Sequence, residues 1–298
     1  MANISDYLKP ESLQKLARME LVARLVVEGF ITGMHRSPHR GFSVEFAEHR
    51  QYVPGDEIRH INWKAFARSD RYYIKQYEEE TNLRGYILLD CSASMGYQSG
   101  SVSKFFYGKC LAAALSYLML QQQDSAGLIT FDREVKTYLP PRANPTHLKA
   151  ILHQLDQARI GKETSLSTIF HDLAERIRKR GLIIIISDLF DKSKDILSGL
   201  THFRHKKHDV LIFQVLDPDE MSFPFRTWTM FTNLENADHK LLTEPQRIRA
   251  AYLESFGRFT TDLRRGCRQK RIDYQQLSTQ TPFDVALATY LAGRSGAV

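Results

Sequence analysis

Residues 86–90, Tyr-Ile-Leu-Leu-Asp, run without interruption into Cys91-Ser92-Ala93-Ser94. Four consecutive apolar side chains leave no polar face, so this strand has to be buried on both sides. Strands of a parallel sheet under helices are buried in this way. The polar loop that follows carries one carboxylate and two hydroxyls at alternate positions, Asp90, Ser92 and Ser94. In an open α/β sheet, ligands gather beyond the carboxyl ends of the strands. Three oxygen donors at such a place suit a hard cation such as Mg²⁺, which takes oxygen ligands and keeps some water. The same pattern also serves as an N-cap or an Asx-turn, so its meaning depends on the rest of the chain.

The rest of the chain alternates strand and helix. An amphipathic helix is expected over 5–30, with Leu13, Leu16, Leu21, Leu25 and Val26 on its apolar side, followed by a polar loop over 33–41. Residues 41–80 change to short strands and tight turns, with Phe42, Val44 and Phe46 in alternation and a turn at Pro54-Gly55. After the 86–90 strand come a largely apolar helix at 104–123, a strand at 126–131, and a short antiparallel partner at 134–139 ending before Pro140-Pro141. Helices at 145–158 and 164–178 precede the run Gly-Leu-Ile-Ile-Ile-Ile-Ser-Asp at 181–188, a strand with every mark of burial. A helix (192–204) and a strand (208–217) follow. A Pro- and aromatic-rich insertion, 218–244, reads as added strands packed with the β-rich segment. A helix (245–265), a strand (272–277) and a helix (282–292) close the chain.

This order predicts a doubly wound, mostly parallel sheet flanked by helices, with a small β-rich appendage. Three parts are expected: an N-terminal helical segment (1–32), the β-rich segment (33–82) and the α/β domain (83–298).

Composition narrows the function classes. Cys91, Cys110 and Cys267 are too few and too scattered for a disulfide framework or a metal knuckle. The unbroken apolar run 182–186 falls far short of a bilayer span, and no signal peptide is evident, so a cytoplasmic protein is expected. The net charge of +7 is spread along the chain; its densest stretches, 202–208 and 258–271, read as solvated helix ends or faces. His202, His205 and His208 belong to the first of these. No nucleic-acid-binding motif accompanies them, so nucleic acid is not an expected partner.

Two further oxygen donors stand at equivalent places, Thr164 after a glycine-containing loop and Asp188 at the end of the strongest strand. With Asp90-x-Ser92-x-Ser94 they make the chain resemble a von Willebrand factor A-like domain with its metal-ion-dependent adhesion site. The usual T-D-G around the last carboxylate is Ser187-Asp188-Leu189 here. The resemblance implies that Ser92, Ser94 and Thr164 touch Mg²⁺ or another divalent cation, with Asp90 and Asp188 holding it largely through waters. A partner's Glu or Asp would then complete the coordination.

Upstream, the block Glu45-Phe46-x-x-x-Arg50-x-Tyr52-x-Pro54-Gly55-Asp56-x-x-Arg59-x-Ile61-x-Trp63-x-x-x-Ala67-Arg68 resembles the signature of the domain of unknown function 58 family. The later Val215-Leu216-Asp217-Pro218-x-Glu220 and Thr281-Pro282-Phe283 are similar to that family's pattern too. The resemblance implies a bacterial or archaeal protein working beside a MoxR-type AAA+ ATPase, as a chaperone-like adaptor in assembly of, or metal insertion into, client proteins. Arg50, Asp56, Arg59 and Arg68 are candidates for a partner-binding surface. The same charges, with Glu45 and Glu57, also suit ion pairs tying the appendage down.

The enzymatic alternative is a Mg²⁺-dependent phosphohydrolase using Asp90 as nucleophile. Such enzymes need D-x-D, and Ser92 stands where the second carboxylate would act as acid or base. There is no P-loop and no nucleophile elbow, and Cys91 reads as a packing residue. A non-enzymatic, metal-dependent protein-binding adaptor is the expectation.

Overall fold

The computed structural model describes residues 10–13, 18–36, 49–51, 73–75, 83–161, 165–234 and 240–295. The chain divides into two units, one of residues 1–33 with 83–298 and one of residues 34–82. The N-terminal apolar pattern forms α1 (Pro10–Leu13) and α2 (Met19–Arg36). On α2 the buried stripe is Met19, Val22, Ala23, Val26, Val27 and Phe30, while Leu21 and Leu25 are exposed. The expected stripe through Leu21 and Leu25 is therefore corrected. Steps of three and four from Met19 gather the larger apolar face, and Leu21 and Leu25 point away from it. The helix also continues to Arg36, through the start of the expected loop. In the second unit β1 (His49–Gln51) pairs antiparallel with β2 (Tyr73–Lys75), with Arg50 opposite Ile74. The other expectations over 37–82, the Pro54-Gly55 turn among them, lie outside the described residues.

Apolar runs then form β3 (Arg84–Asp90), β4 (Ser125–Phe131), β5 (Val135–Arg142), β6 (Leu182–Ser187), β7 (Asp209–Leu216), β8 (Thr229–Thr232), β9 (Lys240–Thr243) and β10 (Asp273–Ser278). Six of them make one sheet in the order β10-β7-β6-β3-β4-β5, and β8 pairs with β9 separately. Only β5 runs antiparallel within the six. Counted along the chain from β3, this is the doubly wound order 3-2-1-4-5-6, whose switch point lies between the first and fourth strands. Those strands are β3 and β6. Their carboxyl ends carry Asp90 and Ser187-Asp188.

The helices are α3 (Lys104–Gln121), α4 (Pro145–Gln157), α5 (Leu166–Arg176), α6 (Ser193–His205), α7 (Pro218–Ser222), α8 (Pro245–Gln269) and α9 (Phe283–Ser295). Successive strand residues face opposite ways, so both faces of the sheet need cover. Leu88, Ile185 and Ile212 pack with Phe170 of α5, Phe203 of α6 and Leu263 of α8 in one apolar cluster. On the other face α3 approaches closely at Gly108, where a Cβ would stand 3.0 Å from Leu89 Cδ1 and 3.3 Å from Ile186 Cγ2.

β5 extends past Pro140-Pro141, which were expected to end it. An edge strand needs no partner for its outer N–H groups, so proline is tolerated there. The register with β4 shifts opposite these prolines, at Gly127. A Cβ on Gly127 would lie 2.6 Å from the Leu139 carbonyl oxygen, so the close approach requires glycine.

His208 is buried rather than part of a wet helix end. Its Nδ1 accepts from Gly181 N at 3.2 Å, and its Nε2 lies 3.3 Å from the Ile177 carbonyl, joining the end of α5 to the approach to β6. The insertion opens as helix α7 rather than strand, because Asp217-Pro218 with Glu220 forms a capping box. Its packing on 33–82 falls largely on residues outside the described ones. Among the described residues no helix is long and apolar enough to cross a membrane.

Candidate functional site

The switch point places Asp90 and Asp188 side by side at one edge of the sheet, and both carboxylates are buried. Asp90 Oδ1 accepts from Ser92 N at 2.8 Å, which folds the loop back over the strand end as an Asx-turn. Asp90 Oδ2 accepts from the Ser187 hydroxyl at 2.6 Å, a bond between β3 and β6. Burial, together with the neighbouring Asp188 charge, pushes the Asp90 carboxyl up to about 7. Above the carboxylate, Ser92 Oγ and Ser94 Oγ stand 3.1 Å apart. Ser92 is buried and Ser94 is partly exposed, so the pair faces the way out.

Asp188 has different partners. Its Oδ1 accepts from Phe190 N at 3.2 Å, and its Oδ2 accepts from the Lys104 ammonium at 2.8 Å. The same ammonium donates to Glu220 Oε1 at 2.6 Å. Lys104 is fully buried, yet its pKa is raised: burial pulls it down, and the charges of Asp188 and Glu220 more than offset that. The Phe190 ring lies against it, with its centroid 4.8 Å from Nζ. Glu220 in turn accepts from Asp217 N through Oε2 at 2.8 Å. Asp217 accepts from Ser99 through both its amide, at 3.0 Å, and its hydroxyl. The start of α7 is thereby tied to the loop after β3 and to the first turn of α3.

The residue after Asp188 explains the departure from T-D-G. Leu189 adopts φ 59°, the left-handed region that glycine enters freely and other residues at a cost. Leu189 is nonetheless part of the buried core, so its side chain compensates for the strained backbone. Asp191 N bonds to the Leu189 carbonyl at 2.8 Å and closes the turn.

The structure thus brings Asp90, Ser92, Ser94 and Asp188 to one edge. Thr164 lies outside the described residues, as do Asp56, Arg59 and Arg68; Arg50 stands in β1. The sequence reading missed Lys104, Ser187 and Glu220. A signal existed for the lysine: a cation in the first turn of an otherwise apolar helix opposes the helix dipole and has to be held there by something else. Cys91 is buried, as expected, and burial raises its thiol pKa to about 12, far from that of a nucleophile. Among the described residues no three His, Cys, Asp or Glu side chains converge as metal ligands, so a cation here would depend on hydroxyls.

A six-stranded doubly wound sheet with a D-x-S-x-S loop at its switch point defines a doubly wound α/β protein, the architecture that the resemblance to von Willebrand factor A-like domains implies. The chain belongs to the family described as "Protein of unknown function DUF58", which matches residues 48–260. Uncharacterized proteins of Mycobacterium tuberculosis and Mycobacterium bovis are each 26% identical to it over 220 residues, covering 72% of this chain and 68% of theirs. Among solved structures, BatB from Bacteroides thetaiotaomicron is similar at 15% identity and a TM-score of 0.46, covering 71% of this chain and 98% of its own. The SpRpn10 VWA domain is similar at 11% identity and a TM-score of 0.40, covering 69% and 94%.

Proposed function

We propose that this chain is a non-enzymatic protein-binding adaptor that docks its partner through a divalent cation, Mg²⁺ by preference, at the carboxyl edge of the sheet. The observation that carries this reading is the Ser92–Ser94 hydroxyl pair over buried Asp90. Oxygen ligands at neighbouring positions of an octahedral Mg²⁺ stand about 3 Å apart, and these hydroxyls are 3.1 Å apart. The charge balance agrees. Asp188 and Glu220 share one ammonium, Lys104, and Asp90 is buried beside Asp188 with no cation bonded to it among the described residues. Ser92 and Ser94 would hold the ion directly, with Thr164 as a further hydroxyl, while Asp90 and Asp188 would supply charge. When bound, the ion would offer an open coordination position to an incoming carboxylate.

The chain's own residues support docking more than chemistry. The Asp90 oxygens are held by Ser92 N and Ser187 Oγ, and Asp188 is engaged by Lys104, so these two carboxyls are positioned as fixed charge rather than as a general acid or base. The partner proposed is a MoxR-type AAA+ ATPase, with a client protein offering Glu or Asp to the ion, and the setting proposed is the cytoplasm. The test is capture of that ATPase by wild type and by Asp90→Ala, each in Mg²⁺ and in EDTA. Capture by wild type in Mg²⁺ alone is the expected result. Equal capture under all four conditions overturns docking through the ion.

A further inference from the structure

We infer that the Lys104 ammonium is a resident cation of this site, holding Asp188 out of direct ligation so that the loop binds a divalent ion weakly until a partner carboxylate arrives. The inference rests on the reading of residues 90–94 as a cation site and adds what sets its affinity. Lys104 is wholly enclosed, and its Nζ lies 2.8 Å from Asp188 and 2.6 Å from Glu220. Both distances are those of charge-assisted hydrogen bonds. The lysine sits in the first turn of α3, where the exposed helix N–H groups repel a cation. That position is held by the two carboxylates and by the Phe190 ring against the ammonium.

The division of labour follows from the bonds. Asp188 has one oxygen on the ammonium and the other on Phe190 N, so neither is directed at a soluble ion. Asp90 accepts from the Ser92 amide and the Ser187 hydroxyl, and among the described residues no cation is bonded to it. A divalent ion at Ser92 and Ser94 therefore meets one carboxylate that carries no bonded cation and, beyond Asp188, a fixed positive charge. Like charges in a buried site repel strongly, because little water screens them. An added carboxylate from outside supplies what Lys104 withholds. Partner binding and ion binding are then mutually dependent, since each raises the affinity for the other.

The test is Mn²⁺ titration of the full chain by calorimetry, with thermal unfolding in parallel. The informative variant is Lys104→Met combined with Glu220→Gln, which removes one charge of each sign and limits the number of carboxylates left unpaired. It is expected to bind Mn²⁺ about tenfold more tightly than wild type or better, and to gain more thermal stability from the ion. Binding no tighter than wild type, or none at all, overturns the inference. Asp188→Asn tests it independently of whether that variant folds. It strips Lys104 of one counter-charge, so Mn²⁺ affinity is expected to fall about tenfold, and adding Lys104→Met is expected to restore most of that loss; no recovery in the double variant makes Asp188 a ligand and overturns the inference. Asp90→Ala separates the two readings. If it binds Mn²⁺ as wild type does, the cation site itself is refuted. If it abolishes binding while the Lys104 variant matches wild type, only the role given to Lys104 is refuted.

Discussion

The Ser187 hydroxyl donates to Asp90 Oδ2 at 2.6 Å, and this bond closes the switch point of the sheet. The same oxygen accepts from Leu189 N at 2.9 Å, so one hydroxyl sets the end of β3 and the turn after β6 together. Ser187→Ala is expected to cost about 1–3 kcal/mol, since it leaves a buried carboxylate short of one donor. Ser187→Thr keeps the hydroxyl and should stay near wild type. Urea unfolding of the two variants checks this, and equal losses would remove the hydroxyl from the account.

Lys104→Met alone leaves buried Asp188 and half-buried Glu220 without their cation. Removing one member of a buried ion pair costs about 3–5 kcal/mol. Adding Glu220→Gln should recover part of that loss. Chemical denaturation of the single and double variants gives the coupling directly, and strictly additive losses would show that the two residues do not act as a unit.

Leu189 combines a left-handed backbone with a fully buried side chain. Truncation to alanine loses the burial and keeps the strain, whereas truncation to glycine loses the burial and relieves it. Both variants are expected to be less stable than wild type by about 1–4 kcal/mol. Leu189→Gly should be no worse than Leu189→Ala, the reverse of the order at an ordinary helix position. Thermal melts of the two variants decide it.

His208 is held neutral. Burial lowers its pKa below 6.5, with Lys206 acting in the same direction and the Ile177 and Gly181 backbone contacts and Asp209 opposing it. The folded state therefore takes up a proton less readily than the unfolded chain. The stability that follows is present above pH 6.5 and is lost as the pH falls through the lowered value. His208→Gln should flatten the decline in stability as the pH falls below 6.5. An unchanged slope would assign that decline to other groups.

Much of this architecture could be read from local pattern. The apolar runs at 86–89 and 182–186 admit burial on both faces, and their alternation with amphipathic helices leaves few alternatives to a doubly wound sheet. Asp90, Ser92, Ser94 and Asp188 could be named because each ends or follows such a run. Strand ends were less legible: Pro140-Pro141 break a central strand but not an edge one, and only the sheet order showed that β5 is an edge. The face of α2 was misjudged because two apolar stripes compete in that sequence, and only packing selects between them.

The charged interior of the site depended on tertiary structure. Lys104 is separated from Asp188 by 84 positions and from Glu220 by 116, and no periodicity joins residues so far apart. Local sequence sets which residues are apolar, which turns can form and where a carboxylate ends a strand, because those preferences act within a few bonds. Which carboxylate receives a lysine and which is left for an ion is decided by long-range packing. Only the folded sheet sets those charges within a hydrogen bond of one another and removes the water that would screen them.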